Sequence, residues 1–320
     1  MSYGRESPII RYARTFQDLY RFCAPLDHLF RLPLRLHPPR DIPVVCIVAP
    51  PRSGSTLTYQ VLTTALKNMH LTNIWNLLYA TPALGGAVSK LLCRRHISSF
   101  SSTHGFVPGL CGEAEGLKFW SYWSGQTLQE DAGALKPEKL RELKGVLDML
   151  ASPDEPFITG YLGHAFSMEQ MRAHFDRIVF VYVSRDLLSN AYSLLKISGE
   201  EWSSLRPKAC SEKEYNSRYE RVADQLVSIH ESILSQSLPD DTIRITYEDL
   251  CRSPQRVVDS IVAFTKQRQI RVNPRLDLPQ EFAASHIEPD TNDETRHLVT
   301  ALKARVANGH EQNLPEMFLR

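Results

Sequence analysis

IVAPPRSGSTL, residues 47 to 57, decides how this chain is read. The run PVVCIV before and into it (Pro43 to Val48) is apolar and β-branched and predicts a buried strand. APPRSGS follows as a tight turn of small residues. STLTYQVLTTALKNM (Ser55 to Met69) predicts a helix, with Leu57, Val61, Leu62, Ala65, Leu66 and Met69 at helical spacing. Strand, small-residue loop and helix in this order make a cradle for an anion. The first N–H groups of the helix have no partner inside it, and the helix dipole favours negative charge there.

The nucleotide-triphosphate loop G-x-x-x-x-G-K-[ST] gives a standard for comparison. Ala49 stands at its first Gly, Gly54 fits the second, Ser55 replaces the Lys and Thr56 fits the last position. The Lys that reaches the β- and γ-phosphates is missing. Arg52, two positions before the Gly, is the basic residue of the loop instead. The loop therefore predicts a cradle for one phosphate plus one further group rather than for a triphosphate. The competing reading is an ordinary strand-to-helix turn.

Outward from the loop, the composition is that of a globular protein: 320 residues, 42% hydrophobic and 23% charged. A net charge of +1 gives no global field for nucleic acid, so any anion site depends on local placement. None of the six cysteines forms a C-x-x-C pair and Cys46 falls in the predicted core strand. This argues against a disulfide framework or a zinc site and fits a reducing compartment. No apolar run approaches a membrane span and the N-terminus lacks the apolar stretch of a secretory signal, so a cytoplasmic location is expected.

The organisation expected is one domain over residues 1–320, with an N-terminal arm at 1–40 and an aromatic-rich insertion at 70–126. The arm carries seven Arg against three acids and an apolar stripe (Leu19, Phe22, Leu26, Phe30, Leu34) broken at Pro25 and Pro33. It reads either as a weak membrane-surface or partner-binding segment or as a helical flap. The insertion holds a helix at 86–96 and the aromatics Trp75, Tyr79, Phe106, Phe119, Trp120, Tyr122 and Trp123. They suit either a core or a cover over the carboxyl ends of the strands. Beyond it, helices are expected from Pro137 to Leu150, after a Ser167–Gln170 capping box, from Ser211 to Ser235 with Ser211 and Glu214 as its box, and from Asn292 to Val306. Strands are expected at Phe157–Tyr161, Arg177–Val183 and Thr242–Thr246. Strands alternating with helices imply a parallel sheet.

Three motifs coincide in order: PPRSGSTL after the first strand, VYVSRDLLSNAYS after a later one, with Arg185 and Ser193 eight positions apart, and ITYEDLCRSP after a third. Together they resemble the sulfotransferases that use 3′-phosphoadenosine 5′-phosphosulfate (PAPS), over about Val44 to Phe264. Arg in the loop is more similar to the carbohydrate, tyrosyl-protein and bacterial branches than to the cytosolic small-molecule branch. The resemblance implies an α/β, P-loop NTPase-like three-layer fold with a central parallel sheet. It implies that Arg52, Ser53, Gly54, Ser55 and Thr56 hold the 5′-phosphosulfate, that Arg185 and Ser193 hold the 3′-phosphate, and that Tyr247 approaches the adenine. Read from the residues, Arg185 is a planar five-donor fork at the mouth of a parallel sheet; a salt bridge to Asp186 is the alternative. The chain departs from the cytosolic branch in lacking an Arg-Lys-Gly element near its C-terminus, for which Ser285, Arg296 and Lys303 are candidate substitutes. It also lacks a Lys-Thr pair before the Arg-bearing strand, where ITGYLGHAF leaves His164 as the nearest analogue.

The expected reaction is metal-independent, in-line sulfuryl transfer from PAPS to a hydroxyl-bearing acceptor: glycan, lipid or small molecule. Arg52 would stabilise charge on the bridging oxygen and the sulfuryl group. The general base would be a His or Glu: Glu115 and His104, both in the insertion, come ahead of Glu113 and His164. No D-x-D or His-cluster spacing suggests a metal. The alternatives are a P-loop kinase, which would need a Lys where Ser55 stands, and a nucleotide-binding scaffold without turnover.

Overall fold

The computed structural model describes residues 24–34, 41–103, 105–130, 135–152, 155–198, 202 and 204–308. Among these, five strands form one parallel sheet: β1 (Val44–Val48), β2 (Met69–His70), β3 (Phe157–Thr159), β4 (Ile178–Ser184) and β5 (Thr242–Thr246), in the order β2-β3-β1-β4-β5. β1 lies in the middle, with Val44 opposite Phe157 on one side and Ile178 on the other. Both faces of β1 and β4 are covered, which is why their sequences are unbroken apolar runs rather than alternating ones.

The two faces of β1 define two cores. Val44, Cys46 and Val48 pack with Trp75, Phe119 and Trp120 and with α6 (Pro137–Leu150). Val45 and Ile47 pack with Tyr59, Val61 and Leu62 of α2 (Ser55–Ala65) and with Val257, Val258 and Ile261 of α11 (Pro254–Gln267). The result is the three-layer, P-loop NTPase-like α/β fold expected. From β1 the chain crosses towards β2, whereas from β4 it crosses towards β5. The strand order thus reverses between β1 and β4, and the crevice above that switch point, at the strands' carboxyl ends, is where open α/β sheets take ligands.

Several boundaries differ from the sequence reading. α1 (Ala24–Leu34) is not broken by Pro25, which sits in the first turn where no N–H is missed, and it runs on through Pro33. Residues 1–23 of the arm lie outside the described residues. α2 stops at Ala65, because Asn68 Nδ2 donates to the Thr63 and Leu66 carbonyls, and Met69 starts β2. α3 (Asn73–Leu77) precedes α4, which spans Pro82–Cys93 rather than 86–96 and begins with its proline. α5 (Leu117–Trp123) completes the insertion, which lies between β2 and β3.

α7 (Met168–His174) has no side-chain cap; Ser167 Oγ donates instead to the Gly163 carbonyl. α8 (Leu187–Ser198) follows β4, and α9 (Arg218–Gln236) starts seven residues later than expected. Its box is Ser217 and Glu220: Ser217 Oγ accepts from Glu220 N–H, and Glu220 accepts from Asn216 N–H. Residues 208–211 close a 3₁₀ turn in place of Ser211 and Glu214 opening the helix. α10 (Tyr247–Arg252) and α12 (Asp293–Asn308) complete the set.

The cysteine reading is corrected. Cys93, the last residue of α4, is disulfide-bonded to Cys111, while Cys46, Cys210 and Cys251 are buried thiols. The 18-residue separation carries no local motif; between the two cysteines the chain runs beside α2, where Gln60 Nε2 donates to the Ser101 carbonyl. Such a bond belongs to oxidising settings, so the cysteines do not support a reducing one. Among the described residues no helix is long and apolar enough to cross a membrane.

Candidate active site

The loop after β1 is a tight turn that depends on its glycine. Gly54 adopts φ 93°, and a Cβ there would lie 2.3 Å from the Tyr247 ring, so the chain needs glycine twice over: for the left-handed turn and for the close approach. Arg52 also has positive φ, at 67°. Ser53 is fully buried and its Oγ donates to the Pro50 carbonyl at 2.7 Å, which stiffens the turn. Among the described residues no side chain caps α2, which leaves its first N–H groups without a side-chain acceptor.

β4 and α8 supply the opposite wall. Arg185, at the carboxyl end of β4, is buried; its Nη1 donates to the Arg52 carbonyl at 3.0 Å. Its Nη2 donates to Ser285 O and Oγ at 2.6 and 2.7 Å. The guanidinium stacks over the Tyr247 ring at 4.6 Å. Its partners are thus carbonyl and hydroxyl oxygens, not the Asp186 carboxylate. Ser193 accepts from Arg52 Nε at 3.1 Å, and Asn190 Nδ2 donates to the Pro51 carbonyl at 2.7 Å. Arg185 Nε and Asn190 Oδ1 are buried without a hydrogen-bond partner among the described residues. Burial and the neighbouring Arg185 lower the Arg52 pKa, and Glu115 partly offsets this.

The third wall comes from the insertion. Glu115 Oε1 accepts from Thr56 Oγ1 at 3.3 Å, so this carboxylate touches the first turn of α2. Burial raises its pKa to about 7, although the Thr56 hydroxyl and Arg52 favour the ionised form. Glu113, two residues earlier, is a buried anchor: Oε1 accepts from Thr63 Oγ1 at 3.2 Å and Oε2 from Ser98 Oγ at 3.4 Å. Glu113 also forms a bridge with Thr72 beside β2. His104 lies outside the described residues; a Cβ at its neighbour Gly105 would come within 3.2 Å of Glu115 Oε1.

These contacts join the 52–56 loop, Arg185, Ser193, Tyr247, Ser285 and Glu115 into one continuous cluster, with Ser53 buried beneath the loop. His164 does not join them. It is fully buried, held by Gln126 at 3.0 Å and Thr159 at 3.3 Å and set edge-to-face against Trp120, and burial pushes its pKa to about 3. Arg296 pairs with Asp293 on its own helix. Of the aromatics, Trp75, Phe119, Trp120 and Trp123 are core. The sequence reading missed Asn190, which orients the loop from α8, and the anchoring role of Glu113. Asn190 follows Ser189 inside the quoted SRDLLSNAYS motif, so its position was visible but its partner, a carbonyl, was not.

An uncapped helix after a central parallel strand, faced by two arginines across a switch point, is the arrangement of a P-loop-like α/β protein. A profile of the sulfotransferase family matches residues 43–268, and the chain belongs to that family. No curated protein matches it. Solved structures similar to it include a sulfotransferase from Mycobacterium tuberculosis H37Rv, at 11% identity over 96% of this chain and 82% of that one, with a TM-score of 0.44. Others are the sulfotransferase domain from the curacin biosynthetic pathway (18%; 71% and 75%; 0.39) and a sulfotransferase from Alicyclobacillus acidocaldarius (14%; 84% and 97%; 0.38). At these scores the three carry no argument about substrate.

Proposed function

We propose that this protein transfers a sulfuryl group from PAPS to an acceptor hydroxyl, with Glu115 as the general base. The observation that supports this best is the contact of Glu115 with Thr56. It puts a carboxylate with a pKa near 7 beside the loop that would hold the group being transferred. PAPS, when bound, supplies an activated sulfuryl group whose transfer needs in-line geometry and relief of charge on the leaving oxygen.

The chain's own residues divide that work. The open N–H groups of Ser55 and Thr56 and the Arg52 guanidinium would bind the 5′-phosphosulfate and stabilise the charge that develops there. Arg185 and Ser193 would hold the 3′-phosphate, and the buried Arg185 Nε, without a partner, fits an added acceptor of hydrogen bonds. Ser285, which now caps Arg185, would close that side. Tyr247 would flank the adenine. Glu115, ionised, would accept the proton of the acceptor hydroxyl.

Transfer of label from ³⁵S-PAPS to a panel of sugar, phenolic and aliphatic alcohols tests the reading. The expected result is labelling of one class, lost in Glu115→Gln and Arg52→Ala. Labelling that survives Glu115→Gln unchanged would remove Glu115 from the role of base.

A further inference from the structure

α1 and α4 pack against one another, and Leu84 N–H donates to Asp27 Oδ1 at 2.9 Å. Both helices are amphipathic in reverse. α1 turns its charged pair inward: Asp27 and Arg31 are buried and bridged at 3.0 Å, while Leu29, Phe30 and Leu32 are 61%, 44% and 55% exposed. α4 turns its small residues inward, setting Gly85 and Gly86 against Trp75 and Ser89 against Thr72. Its outward positions recur at helical spacing as Ala87, Val88, Leu91 and Leu92, with Leu91 79% and Leu92 60% exposed. Ile97, just beyond, is 61% exposed. A helix on a globular protein ordinarily buries its apolar stripe. Here two adjoining helices present theirs to solvent, and six of the eleven large exposed apolar side chains among the described residues lie on them or at the end of α4.

The charges on α4 and just beyond it have one sign. Arg94 and Arg95 are exposed at the end of α4, next to Lys90 on its last turn. From Pro82 through Ile97 there is no Asp or Glu, and the one carboxylate of α1, Asp27, is buried and paired with Arg31. Of the acids on neighbouring elements, Glu142 on α6 pairs with Arg31, and Glu155 lies across the groove from Lys90 and Arg94.

We propose that α1 and α4 form a docking face for a bilayer surface carrying anionic lipid. The apolar side chains would enter the boundary between headgroups and acyl chains, and the cationic rim would meet the lipid phosphates. The rim decides between this occupant and the other two. A second copy docked face to face would set cationic rim against cationic rim. The segment 1–23 carries Arg5, Arg11, Arg14 and Arg21 against Glu6 and Asp18; it adds positive charge and would strengthen the pull towards an anionic surface rather than neutralise the rim. This inference does not depend on the proposed reaction.

Flotation of the full chain with phosphatidylcholine vesicles, with and without phosphatidylserine, tests it. Binding is expected to the anionic vesicles and to weaken as salt screens the rim. Leu91→Glu with Leu92→Glu should reduce binding by about tenfold or more, because two inserting side chains become charged. Arg94→Glu with Arg95→Glu should reduce it by about fivefold or more through the lost headgroup attraction. All four side chains are exposed, so thermal melting should not change, and Leu238→Glu, on the exposed turn before β5, should bind like the parent. The proposal is overturned if the parent does not float with anionic vesicles, or if Leu91→Glu/Leu92→Glu floats as well as the parent. It is equally overturned if that variant abolishes self-association in a protein that ignores vesicles, which would give the face to a second copy.

Discussion

Around Arg52, the partners come from strand ends and the helices that follow them: Arg185 from β4, Ser193 and Asn190 from α8, Tyr247 from the end of β5. Around Glu115 they come from the irregular stretch of the insertion between α4 and α5, fastened by the Cys93–Cys111 disulfide, by the Glu113 hydrogen bonds and by the bridge to Thr72. The first wall is fixed by the sheet itself, since moving Arg185 would mean moving a strand buried on both faces. The second is fixed by a few contacts, each of which a single substitution can remove. In the proposed reaction donor binding would fall to the rigid wall and acceptor activation to the tethered one, so damage to each should be separable.

The largest effect should come from Glu115→Gln. Its kcat is expected to fall by about 10²- to 10⁴-fold, the usual worth of a positioned base, with donor affinity retained. The parent kcat should also decline as pH falls through about 7, where Glu115 takes up a proton, and Glu115→Gln should lose that limb. The stability linkage has a definite sign. Glu115 has a folded-state pKa above its unfolded one, so it favours folding most below the unfolded value and loses that contribution as pH rises through about 7. Glu115→Gln should therefore melt relatively higher at alkaline pH, by on the order of 1 kcal/mol once its partial exposure is allowed for. Equal losses of kcat and donor binding would break the separation of the two walls.

Next in size is the tether. Cys93→Ser should lower stability by roughly 3 kcal/mol on the chain-entropy account of a loop of this length, measured by denaturant unfolding. Its kcat should fall while the donor dissociation constant stays within about twofold, because α2 and β4 do not depend on the bond. The smallest effect on the rigid wall should come from Ser193→Ala. It removes the acceptor of Arg52 Nε and should weaken donor binding by about 0.5–1.5 kcal/mol in calorimetry, with stability almost unchanged.

The two walls also differed in how far the sequence revealed them. PPRSGSTL and SRDLLSNAYS are local: each is a strand end plus a helix start, and strand-to-helix geometry carries the side chains to the crevice. Ser285 was legible as one candidate of three, since only the fold brings a residue 100 positions away onto Arg185. The insertion has no such period. GEAEG offered two carboxylates, and burial separated them: Glu113 became an anchor and Glu115 faced Thr56. The disulfide was read the wrong way because its cysteines are joined by the path of the loop, not by spacing. The reversed amphipathicity of α1 and α4 is invisible in an apolar stripe, which does not say which face it covers.

The central claim is a cradle shaped for a 3′-phosphorylated adenine nucleotide. Calorimetric titration with 3′-phosphoadenosine 5′-phosphate, against adenosine 5′-phosphate without the 3′-phosphate, tests it most directly. The expected result is tighter binding of the 3′-phosphorylated nucleotide, with an advantage that Arg185→Ala reduces by about 1.5–3 kcal/mol, as for a hydrogen bond to a charged group. Equal binding of the two nucleotides, or an advantage that survives Arg185→Ala, would contradict the account.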